Sequence, residues 1–106
     1  MRQSTAALLL AVVGLVWMAS CTEPPAPNAT GAEIYAQLCT SCHGDDLSGG
    51  LGPALGLGSN AADQDDAFLE LTISRGRGRM PSFGGTLSDG QLDRLVDYLR
   101  DEQNEQ

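Results

Sequence analysis

The chain is predicted to be all-α, with three to four helices joined by long loops. Three observations predict this. Leu92, Leu95, Val96 and Leu99 repeat at the i, i+3, i+4, i+7 spacing of an amphipathic helix. No stretch alternates apolar and polar residues over the length of a strand. Residues 44–60 hold six glycines and one proline in seventeen positions, a composition that favours loop over either regular element.

Taken in order, residues 1–20 read as an export signal. Arg2 gives a positive start, residues 6–18 run apolar with Gly14 as the one break, and small Ala19 and Ser20 precede Cys21. That run is shorter than the roughly 20 residues needed to span a bilayer, and an uncleaved anchor is the alternative reading. Residues 21–30 form a Pro-rich tether, in which Pro24, Pro25 and Pro27 favour extended backbone. The domain proper is expected over residues 31–106. Its first helix is placed at 31–42, with Ile34, Tyr35 and Leu38 on one broad face. The second is placed at 63–74. It opens on Asp63, Asp65 and Asp66, acids suited to a helix N-terminus, and Phe68, Leu69, Leu71 and Ile73 give it an apolar side. The third is announced by a Ser88–Gln91 capping box, with Leu87 and Leu92 at the staple positions. Its polar end, residues 101–106, is expected to fray.

A domain of about 75 residues buries little apolar surface and usually needs a staple. This one has two Tyr and two Phe, its single Trp lies in the signal, and the chain spends thirteen residues on glycine. A large apolar cofactor would supply the missing core. Charge narrows the partners. The six basic residues are all Arg, against fourteen acids, and removing the signal takes Arg2 with it. This balance argues against nucleic acid as a ligand, because phosphate binding relies on Lys and Arg clusters.

Cys39-Thr40-Ser41-Cys42-His43 is a C-x-x-C-H motif, the attachment signature of c-type haem. At the end of a helix, thiols at i and i+3 lie on one side and can each add to one haem vinyl group. His43, next in line, then reaches the iron. A redox-active pair would call for a strand–helix context that is absent. A zinc site would need four ligands, and beyond this motif only Cys21 remains. A plain Cys39–Cys42 disulfide is the other reading. Cys21 itself follows Met18-Ala19-Ser20, which resembles a bacterial lipobox with Met in the place where Leu is usual. Acylation there would anchor the protein to a membrane; an ordinary cleaved signal would leave the thiol free or discard it.

With the signal removed, the chain has no second His, no Lys and one methionine, Met80, in Arg79-Met80-Pro81. Met80 is thus the candidate second axial ligand. The alternatives are a methionine that merely fills the core and an iron left open or bound to water.

Over residues 31–100 the sequence resembles the class I monohaem cytochromes c. Gly31 and Tyr35 stand where that family crosses its first helix closely over its last, with Leu95 and Tyr98 as the matching partners. Gly52-Pro53 with Leu55 resembles the loop whose proline carbonyl accepts the imidazole N–H of the haem histidine. Arg79-Met80-Pro81-Ser82-Phe83 resembles the axial methionine segment. The resemblance implies a small cytochrome c fold wrapped around one haem. It implies Cys39, Cys42, His43, Pro53 and Met80 as the cofactor-binding set, with His43 and Met80 on the iron. The family's lysine-based docking does not carry over, since Lys is absent.

Arg75, Arg77 and Arg79 alternate with Gly76 and Gly78. They read as a solvated loop, as partners for haem propionates, or as a small cationic docking patch. No nucleophile or general-acid constellation is visible, so the chain is not read as an enzyme. The expected role is an exported, membrane-tethered single-electron carrier working with redox partner proteins. The alternatives are a subunit of a larger dehydrogenase or oxidase, and a haem-based ligand sensor with a displaceable methionine.

Overall fold

A computed structural model describes residues 23–105. The signal and Cys21 lie outside the described residues. Four helices follow one another: α1 (Gly31–Leu38), α2 (Thr40–His43), α3 (Asp66–Arg75) and α4 (Asp89–Glu105). The described residues contain no strand, only a single antiparallel pairing of Arg77 with Met80.

The first helix expected from sequence is two. Thr30 caps α1 in a full capping box with Glu33. The helix then breaks at Cys39, whose φ of −116° and ψ of −30° depart from regular helix although its N–H still donates to Tyr35 O at 2.9 Å. Thr40 Oγ1 donates to the Ala36 carbonyl at 2.9 Å, a back-bond of the kind that bends helices. The next turn continues to His43, one residue past the expected end. Helix α3 begins later than 63, because Asn60 to Gln64 close successive three-residue turns and Asp65 is the acid that caps, accepting from Phe68 N at 2.8 Å.

Helix α4 runs on through Glu105 instead of fraying. Its polar tail is held from within. Gln103 is buried and donates through Nε2 to the Leu55 carbonyl at 2.8 Å, while Arg100 donates to Gln103 Oε1 at 2.7 Å and pairs with Asp66 on α3 at 2.7 Å.

The core joins Ile34 and Tyr35 of α1, Leu47 of the first loop, Leu69 and Ile73 of α3, and Leu95, Val96 and Leu99 of α4. Helices α1 and α4 cross at Gly31, where a Cβ would stand 2.1 Å from the Arg94 carbonyl oxygen and 2.7 Å from Tyr98 Cβ. The rings of Tyr35 and Tyr98 meet at the same crossing, 5.4 Å apart and tilted by 47°. The close crossing of Gly31 and Tyr35 over Tyr98 implied by the family resemblance is thus found, and Leu95 lies in the same core cluster.

From Glu23 onward the Pro-rich segment has no helix or strand, as its composition implies, but it turns at Pro27-Asn28, where Ala29 N donates to Ala26 O at 2.9 Å, and it is not a free spacer. Ala29 is buried against the core. Arg94 donates to the carbonyls of Ala29 (2.9 Å) and Pro27 (3.0 Å), and Gln91 to those of Ala26 (3.0 Å) and Pro25 (3.3 Å). Prolines remove donors but leave carbonyls, and α4 supplies the donors. The packed body therefore begins ahead of Gly31.

Candidate haem site

His43 closes α2 and is only 8% exposed. Its Nδ1 lies 2.7 Å from the Pro53 carbonyl oxygen. A carbonyl can only accept, so Nδ1 carries the proton, and in the neutral ring the lone pair falls on Nε2, the tautomer of a metal-ligating imidazole.

The loop that brings Pro53 back to His43 is tied down along its length. Gly49 N donates to the His43 carbonyl at 2.7 Å, Gly52 N to Cys42 O at 2.8 Å and Leu55 N to Leu47 O at 2.9 Å. Tyr35 reaches in from α1 and donates its hydroxyl to Gly44 O at 2.7 Å. Gly52 must be glycine, since a Cβ would stand 2.9 Å from His43 Cε1. Leu47 adopts a left-handed φ of 63°, a strained choice for leucine that full burial of its side chain sustains.

Cys39 is half-buried and Cys42 exposed, one helical turn apart, and both are free thiols. Burial pushes the Cys39 thiol up to about 11, and the neighbouring Cys42 adds to the shift. Redox-active C-x-x-C pairs need the opposite, a thiol held low enough to be thiolate near neutrality. Among the described residues no cluster of three or more His, Cys, Asp and Glu could hold a metal ion.

Met80 lies on a separate element, the loop after α3, where it is half-buried against the core. Its backbone pairs with Arg77 in both directions, at 2.9 and 3.2 Å. Arg75, Arg77 and Arg79 are all exposed, and the Arg77 guanidinium sits over the Phe68 ring, 5.9 Å from its centroid. The sequence reading placed Gln91 in its capping box but missed its hold on the 23–30 segment, and it missed the struts Arg94 and Gln103. Gln91 and Gln103 carry one signal, a place on the buried side of an otherwise apolar stripe, while Arg94 is exposed and carries none.

The residues present fit a covalently attached haem. Two thiols and an oriented imidazole leave α2 together, glycine backbone lies flush against the ring, and large apolar side chains (Leu51, Leu57, Phe68, Leu71) stand exposed on the flanking loop and α3.

Fold and site together define a class I monohaem c-type cytochrome, which binds one covalently attached haem c. The chain belongs to the family described as cytochrome c oxidase, cbb3-type, subunit III, whose model matches residues 26–99. It is 35% identical over 74 residues to cytochrome c-551 of Bacillus subtilis (strain 168), covering 70% of this chain and 62% of the relative. It is 36% identical over 95 residues to cytochrome c55X of Stutzerimonas stutzeri, covering 87% of this chain and 83% of the relative. Among solved structures, dihydro-heme d1 dehydrogenase NirN in complex with DHE superposes with a TM-score of 0.62 at 38% identity, over 68% of this chain and 16% of that one.

Proposed function

We propose that this cytochrome is a membrane-tethered single-electron carrier. Its haem is attached through Cys39 and Cys42, and its iron is held between His43 and Met80. The observation that carries the reading is the 2.7 Å contact of His43 Nδ1 with the Pro53 carbonyl, which leaves Nε2 for iron. When bound, the haem supplies a reversible one-electron couple. The residues set its terms. Pro53 fixes the imidazole ring and raises its basicity as a ligand. Met80 would supply the second iron ligand, and a thioether ligand raises the potential relative to a second histidine. With His43 and Met80 both on the iron, no position would be left for a substrate. Cys42 is exposed, which supports a haem edge open to a partner.

The sequence divides accordingly, with a signal over 1–20, an acylated Cys21 at the head of the 21–30 segment and the cytochrome domain beyond. Among the described residues no helix is long and apolar enough to cross a membrane; the anchor proposed is an acylated Cys21. Outside the cytoplasm, the acidic surface steers a basic docking site on the partner, and the exchange rate falls as salt rises.

A second reading, a fixed electron-transfer subunit of a larger dehydrogenase or oxidase, is favoured by the oxidase subunit in the family description and by the match to a small part of the longer NirN chain. Redox titration of membrane and soluble fractions tests the carrier. A one-electron couple in the membrane fraction, with acyl mass on a Cys21 peptide, is expected. A water-soluble product without acyl mass contradicts the tether, and co-migration with a catalytic subunit through purification favours the second reading.

A further inference from the structure

The loop bearing Met80 is closed onto the end of α3 by more than its own pairing with Arg77. Gly76, the residue that ends α3, has φ 73° and ψ 172°, a backbone region that is essentially glycine's alone. A Cβ at this position would stand 2.5 Å from Met80 O, 2.9 Å from Pro81 C and 2.9 Å from Ser82 N. These are three successive backbone units of the methionine segment, and no flexible side chain could give way in their place. The last carbonyls of a helix have no partner within it, and here they hold the same segment. Phe83 N donates to Ile73 O at 3.0 Å, and Ser74 O accepts from Gly84 N at 3.0 Å and from the Ser82 hydroxyl.

We propose that Gly76 is a positioning residue for Met80, and that Ser82 latches the same loop. The bare Cα of Gly76 lets the Met80-Pro81-Ser82 backbone lie against the end of α3. The Ser82–Ser74 bond keeps it there. Neither residue ligates iron; both act through Met80, so the inference rests on Met80 being the axial ligand.

The test compares holoproteins of wild type, Met80→Ala, Gly76→Ala, Ser82→Ala and Gly85→Ala. Gly85 serves as the control, since a Cβ there meets nothing within 4 Å and its φ is not positive. Two spectroscopic readouts are used: the weak far-red charge-transfer band of ferric haem with a methionine sulfur ligand, and CO binding to the ferrous form. Wild type and Gly85→Ala are expected to show the band and to resist CO. Gly76→Ala is expected to lose the band and bind CO as Met80→Ala does, with its helix content retained. Ser82→Ala is expected to keep the band but take up CO faster than wild type.

A Gly76→Ala protein with the wild-type band and wild-type resistance to CO overturns the inference. A wild type without the band, or a Met80→Ala protein that keeps it, overturns Met80 ligation itself, which is a separate failure. If Gly76→Ala yields no folded holoprotein, Ser82→Ala decides: faster CO uptake supports the latch, and an unchanged rate overturns it.

Discussion

Tyr35 joins three parts of the molecule through one side chain. Its ring packs on Tyr98 at the helix crossing, and its hydroxyl holds Gly44, the residue after His43. Burial, with lesser contributions from Cys39 and other neighbouring groups, raises its phenol well above the ordinary 10.0. The sign follows from proton counting. Above about pH 10 the unfolded chain gives up this proton while the folded chain keeps it, so the folded state binds more protons and stability falls as pH rises. The stabilisation is fully present below pH 10. Thermal unfolding of the holoprotein between pH 9 and 12 is expected to show that decline, and Tyr35→Phe is expected to flatten it. At neutral pH the same variant is expected to lose about 1 kcal/mol for the missing hydrogen bond. An equal alkaline slope in both proteins would show that Tyr35 does not carry the effect.

At the level of elements, α1 and α4 are coupled by Gly31 and by both ends of Arg94. The Arg94 carbonyl lies under Gly31, and its guanidinium holds Pro27 and Ala29. Gly31→Ala puts a methyl group into a backbone oxygen, which cannot swing aside. A loss of about 1–3 kcal/mol is expected from overpacking of this kind, read as a lowered Tm of the holoprotein. An unchanged Tm would mean that the crossing can open without cost.

Much of this was legible in the sequence, for stated physical reasons. The Leu92–Leu99 stripe and the Ser88–Gln91 box are local codes for a helix and its start, and α4 begins as they say. The break at Cys39 depends on a hydroxyl back-bond, and the survival of α4 past Arg100 depends on Leu55, 48 residues before Gln103. Neither leaves a periodic trace. In the site, the reading of Pro53 as the partner of His43 came from family likeness, and the contact stands in the structure. The dependence of the Met80 loop on Gly76 could not be read, because it arises from how a helix end and a later loop approach each other.

For the molecule as a whole, the 23–30 segment changes what a tether means. Only Thr22 separates Cys21 from Glu23, so the two α-carbons are at most about 7 Å apart. With the segment clamped by Gln91 and Arg94, an acyl anchor at Cys21 would hold the domain close to the bilayer on a short leash. Arg94→Ala is expected to free the segment and expose residues 23–30 to protease cleavage, leaving the haem spectrum unchanged. Resistance equal to wild type would show that Gln91 and the burial of Ala29 suffice to hold it.

The account turns on an iron held by both His43 and Met80. The direct measurement is the ferric spectrum of the purified holoprotein with CO added after reduction, run beside Met80→Ala. A far-red sulfur-to-iron band with no CO adduct in wild type, and the reverse in Met80→Ala, is the expected result. A wild type that lacks the band and binds CO readily would contradict the six-coordinate carrier and make the site a ligand-binding haem.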